Sequence, residues 1–176
     1  MPKQKKQNRS LVLGLCIGSC LAIVLALVGA AQIHSTNKVK FCASCHEMQT
    51  FYKTWVEAGH GLAQKGAMKA KCVDCHLPEE GLLTYLGTKA KAGANDYIAH
   101  IIRKKVDWVA KREEREKYTY ETGCKKCHKE LVAPGIPIKA FLAHRTYELG
   151  ETDKTCISCH HNVGHGDLLL ALNNQQ

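Results

Sequence analysis

Cys42-Ala43-Ser44-Cys45-His46, Cys72-Val73-Asp74-Cys75-His76, Cys124-Lys125-Lys126-Cys127-His128 and Cys156-Ile157-Ser158-Cys159-His160 decide how this chain is read. Each is a C-x-x-C-H group, the attachment sequence of a c-type haem. The two thiols add across the porphyrin vinyl groups, and the adjacent imidazole becomes the proximal iron ligand. Thioredoxin-like pairs and structural zinc sites also use C-x-x-C, but neither requires a histidine immediately afterwards. With 10 His among 176 residues, finding one after all four pairs by chance has odds of roughly 1 in 10⁵. The sequence therefore predicts four covalent haems and electron transfer.

Ten cysteines fall as these eight plus Cys16 and Cys20, which lie in an apolar run where thiols behave as small hydrophobes. Aromatic residues are only 6% of the chain, so side chains alone make a thin core. Haem planes stacked on short helices would fill it. The formal charge is +9; eight haem propionates would bring it to roughly +1. The basic excess thus reads as compensation for cofactors, and nucleic-acid binding is not expected.

Working outward, residues 1–10 carry Lys3, Lys5, Lys6 and Arg9 and no acid, and Leu11–Ile33 follows without a charge. A secretory apolar region runs ~7–15 residues, whereas a bilayer-crossing helix needs about 20. This predicts a transmembrane anchor over 11–33, with 1–10 cytoplasmic and 34–176 exported, since positive flanks stay inside. Val28-Gly29-Ala30 is a weaker alternative, as a cleavage site.

The exported part is organised by a repeat: Cys42 and Cys72 are 30 apart, Cys124 and Cys156 are 32 apart, and one further histidine sits inside each unit, His60 and His144. Two dihaem units, about 38–80 and 120–170, are therefore expected in a mainly α domain. The connecting segment holds the only long helical pattern, an apolar stripe from Tyr85 through Ile98, Ile101 and Ile102 to Val109. No strand pattern is evident. Histidine as a sixth ligand makes a low-spin electron carrier. His60, His144 and His165 are the candidates, while His34 and His161 read as ordinary polar residues. Met48, two residues beyond His46, offers a thioether in the first group only.

One N-terminal span before four C-x-x-C-H groups in a short chain resembles the NapC/NirT family of membrane quinol dehydrogenases, the NrfH-type small subunits most closely. The resemblance implies quinol oxidation (menaquinol or ubiquinol) at the outer face of a bacterial cytoplasmic membrane. Electrons would then pass to a periplasmic reductase, with cytochrome c nitrite reductase as the candidate. Cys42 to Met48 matches the C-x-x-C-H-x-M signature, which makes Met48 a candidate to replace His46 on the first iron. The resemblance also implies His60 as distal ligand of the third haem and His165 of the second. Asp96 and Lys89, seven residues apart, match a quinol pocket at the first haem, with Asp96 as proton acceptor and Lys89 orienting the quinol oxygen. Leu77-Pro78-Glu79-Glu80 lacks the histidine that NapC-type members carry after the second group. The fourth iron's sixth ligand is then either a lysine of the reductase or His144, which is alternatively a ligand of the first haem. A generic anchored multihaem carrier without a quinol site is the rival reading.

Overall fold

A segment crossing hydrocarbon must satisfy its own backbone hydrogen bonds, which favours a helix wherever the sequence is continuously apolar. In the computed structural model, which describes residues 2–65, 68–102 and 106–173, helix α1 covers Pro2–Thr36. Its portion Arg9–Thr36 is long and apolar enough to cross a membrane. The basic side chains Lys3, Lys5 and Lys6, expected on the cytoplasmic flank, lie outside the described side chains; Met1 and residues 174–176 lie outside the described chain. Helix α2 (Val39–Cys42) completes a first unit, Met1–Cys42.

Ala43–Gln176 forms the second unit. Its helices are α3 (Gln49–Glu57), α4 (Cys72–His76), α5 (Leu82–Ile101), α6 (Trp108–Glu113), α7 (Glu121–Cys127), α8 (Ile138–Glu148), α9 (Cys156–Cys159) and α10 (Leu168–Asn173). Among the described residues there is no strand, as the sequence predicts. The buried apolar residues are few: Trp55, Ala58, Leu77, Leu168 and Leu172, with Pro78 fully enclosed. α10 lays Leu168 and Leu172 along α3, whose Trp55 Nε1 donates to the Ala70 carbonyl at 3.1 Å. Six such residues among those described are little burial for a domain of this size, consistent with cofactors supplying much of the core.

The attachment helices pack directly on one another. α7 meets α4 so closely at Gly123 that a Cβ there would lie 1.8 Å from the Asp74 carbonyl oxygen, which only glycine tolerates. Tyr120 N–H donates to the Cys75 carbonyl at 2.9 Å, and Lys126 Nζ reaches Glu79 at 2.8 Å. Glu121 then joins α7 to α9 by accepting from Cys156 N–H and from the Tyr147 hydroxyl.

The apolar stripe expected from Tyr85 to Val109 is two helices rather than one. α5 ends at Ile101, and α6 begins anew behind Asp107, whose Oδ1 accepts from Ala110 N–H at 3.0 Å. The stripe does not mark a buried face here, since Ile98, Ile101 and Ile102 are exposed; the cap at Asp107 is a local hydrogen bond that competes with helix continuation. The charged run after it forms local pairs, Lys111–Glu114 at 2.7 Å and Arg115–Glu113 at 3.5 Å.

Candidate functional site

In the second, third and fourth groups, both cysteines ride one helix, α4, α7 or α9. A spacing of i and i+3 puts both thiols on the same side of one turn, so they meet one porphyrin edge. None of the ten cysteines is in a disulfide.

Each of these three groups also has a second histidine facing its own. The ring centroids of His76 and His165 are 6.2 Å apart, those of His128 and His60 5.8 Å, and those of His160 and His144 6.2 Å. Two metal–nitrogen bonds of about 2 Å plus the two ring radii span about 6 Å, so each pair fits an iron between its imidazoles. Hydrogen bonds at the rings set the tautomers. Nδ1 of His76 donates to the Tyr118 carbonyl at 2.6 Å, that of His165 to Phe51 at 3.0 Å, that of His60 to Met68 at 3.2 Å, and that of His144 to Leu131 at 2.7 Å. A carbonyl only accepts, so each of these Nδ1 atoms carries the proton and Nε2 is left as the metal-binding nitrogen. Burial also pushes the His165 imidazole down to about 4, keeping it neutral and able to ligate.

The pairs do not follow the sequence repeat. His144 faces the fourth group of its own unit, but His60 crosses to the third and His165 returns from the chain's end to the second. Gly61 makes the first crossing possible: a Cβ there would sit 1.8 Å from the Trp55 carbonyl oxygen at the end of α3. Beside the third group, a cleft of about 610 Å³ is lined by Lys125, His128, Lys129, Leu131, Tyr147 and Glu148. His161 turns back on its own loop to the Ser158 carbonyl, and His34 lies on α1.

The first group is built differently. Cys42 closes α2, Cys45 is extended, and His46–Met48 forms a single 3₁₀ turn. His46 Nε2, the nitrogen that the hydrogen bonds of the other pairs leave available for a metal, lies 3.0 Å from Glu47 Oε1. That same oxygen accepts from His100 Nδ1 at 2.9 Å. The hydrogen bond from His100 is the main reason the Glu47 carboxyl is held below its ordinary range.

His100 is the residue the sequence reading missed. At 100° per residue, Lys89, Asp96 and His100 fall within about 40° of one another on a helix. The spacing i, i+7, i+11 was therefore a signal that Lys89 and Asp96 share a face with a third polar residue. The structure adds where that face goes: His100 meets the first group, while Asp96, a turn earlier, is close enough to His76 of the second to feel its charge. Although Asp96 is exposed, desolvation by its neighbours raises its carboxyl above the ordinary range, and His76 offsets this in part. Lys89 is half-buried on the same helix.

Four attachment groups and their facing imidazoles define a multihaem cytochrome c. The chain belongs to the NapC/NirT cytochrome c family, whose N-terminal region matches residues 4–169, and it is a tetrahaem c-type cytochrome. It is 27% identical to the cytochrome c-type protein NrfH of Wolinella succinogenes over 94% of this chain and 90% of that protein. It is 29% identical to the cytochrome c-type protein TorY of Escherichia coli O157:H7 over 85% of this chain, yet it spans only 45% of TorY. Among solved structures, it superposes with a TM-score of 0.60 and 30% identity on a chain of the cytochrome c nitrite reductase NrfHA complex bound to the inhibitor HQNO, covering 88% of this chain and 90% of that one.

Proposed function

We propose that this protein is anchored in a bacterial cytoplasmic membrane with its N-terminus inside, oxidises a membrane quinol at the outer face, and delivers the electrons singly to a periplasmic reductase. The observation that carries this reading is the face of α5: Lys89, Asp96 and His100 lie along one stripe, and His100 is hydrogen-bonded to Glu47, the residue next to the first haem-attachment group. The first group follows the apolar helix by only a few residues, so the chain itself keeps it near the membrane surface, where a lipid-soluble donor arrives.

Once attached, the haems supply one-electron redox chemistry. The protein's own residues do the rest. Asp96, with its raised pKa, accepts a proton from a quinol hydroxyl. The Lys89 ammonium donates a hydrogen bond to a quinol oxygen. Met48 would hold the first iron in place of His46, whose Nε2 lies 3.0 Å from Glu47 Oε1. His76 with His165, His128 with His60, and His160 with His144 would hold the other three irons, and the fourth would then need no lysine from a partner. The acceptor we favour is a cytochrome c nitrite reductase, since the chain matches a component of such a complex over nearly its full length, whereas it spans under half of TorY.

The test uses full-length, haem-loaded protein in liposomes with a menaquinol analogue. Quinol-driven haem reduction should fall sharply in Asp96→Asn and in Lys89→Ala; rates unchanged in both would remove the quinol pocket and leave the generic carrier. Added cytochrome c nitrite reductase with nitrite should reoxidise the haems. Failure there would remove this acceptor alone.

A further inference from the structure

His46, Glu47 and His100 present two imidazole nitrogens and one carboxylate oxygen whose donor atoms all lie within 4.8 Å of one another. We propose that these three side chains form a binding site for a divalent first-row transition metal of the zinc class, separate from the haem irons and beside the first of them. This rests on the reading that Met48, rather than His46, ligates the first iron.

The chemistry of the donors supports it. Neutral imidazole and carboxylate are the ligands that zinc and its neighbours take, with bonds of about 2.0–2.2 Å. One Glu47 oxygen already lies 3.0 Å from His46 Nε2 and 2.9 Å from His100 Nδ1, so a cation placed among the three replaces hydrogen bonds with bonds to the same atoms. The side chains are 80%, 34% and 47% exposed for His46, Glu47 and His100, which gives an ion direct entry and leaves coordination positions for water. The other histidine pairs differ: each has at least one Nδ1 tied to a backbone carbonyl, and among the described residues none joins a carboxylate in such a three-donor cluster. His46 and Glu47 come from a 3₁₀ turn and His100 from the end of α5, so an ion bound there clamps that helix to the first haem-attachment group.

The experiment is equilibrium dialysis of Zn²⁺ against full-length tetrahaem protein in detergent, with the haem absorption spectrum recorded at each point. One Zn²⁺ per chain is expected, with at least a tenfold loss of affinity in both His100→Ala and Glu47→Gln and an X-ray absorption edge showing only nitrogen and oxygen ligands. No stoichiometric uptake, or uptake unchanged in both variants, overturns the site. Uptake that leaves the haem spectrum unaltered supports the site and the Met48 assignment together. Uptake lost in the variants but accompanied by a ligand-exchange shift in one haem supports the site and overturns the Met48 assignment, because His46 must then have left the iron.

Discussion

The first haem-attachment group and the other three are the same five-residue pattern placed in two structural settings. In the second to fourth, the cysteines share a helix, and a second histidine faces the proximal one with its tautomer set by backbone carbonyls. In the first, the pattern spans the end of a helix and a 3₁₀ turn, and its histidine is paired with a carboxylate instead. A closed pair of imidazoles suits a carrier; a group with charged, exposed neighbours suits a place where substrate and protons meet protein. The contrast teaches that the motif guarantees attachment, while ligand set and access are decided by what packs around it.

The largest expected effect comes from removing an attachment in the closed set. Cys124→Ala should prevent the third haem from being fixed and unfold the second unit, because α7 lies between α4 and α9. Cys42→Ala should cost only the first haem. Mass spectrometry and thermal melts read both, and equal collapse of the two variants would break the comparison.

Next come the ligands. His60→Ala, His144→Ala or His165→Ala should each turn one haem from low to high spin and create one carbon monoxide site per chain. Met48→Ala should do the same at the first haem, whereas His46→Ala should leave its spectrum intact. A high-spin signal on loss of His46 would place the first group with the others.

The quinol face should show a smaller effect. Asp96→Asn is expected to slow quinol-driven reduction by about 10²-fold, the lower end of what a positioned proton acceptor contributes, while dithionite still reduces all four haems. Because the Asp96 pKa is raised and only the carboxylate accepts a proton, the wild-type rate should climb as pH rises through a value above the ordinary carboxylate range. That limb should vanish in the variant. A flat wild-type profile would count against Asp96.

The smallest effect tests the scaffold. The Lys126–Glu79 pair is partly exposed, so Lys126→Ala should cost about 0.5 kcal/mol in denaturant unfolding. Gly123→Ala, which drives a Cβ into the Asp74 carbonyl, should cost about 1–3 kcal/mol.

The sequence alone determined that four haems attach, which histidine follows each pair of thiols, and that one apolar helix precedes them. These are local facts, set by covalent spacing of two or three residues or by an unbroken apolar run. Lys89 and Asp96 were singled out only by the family resemblance, and their neighbour His100 emerged only when α5 was seen to meet Glu47. The sequence repeat singled out His60 and His144 without saying which iron each would serve; only the resemblance implied His60 for the third haem and His165 for the second, and the structure sets those rings against His128 and His76. Which imidazole faces which attachment group depends on segments distant in sequence, His60 meeting His128 and His165 meeting His76, and on close approaches such as Gly61 on Trp55 and Gly123 on Asp74. Packing of that kind has no periodic signature in a single chain, so only the tertiary structure decided it.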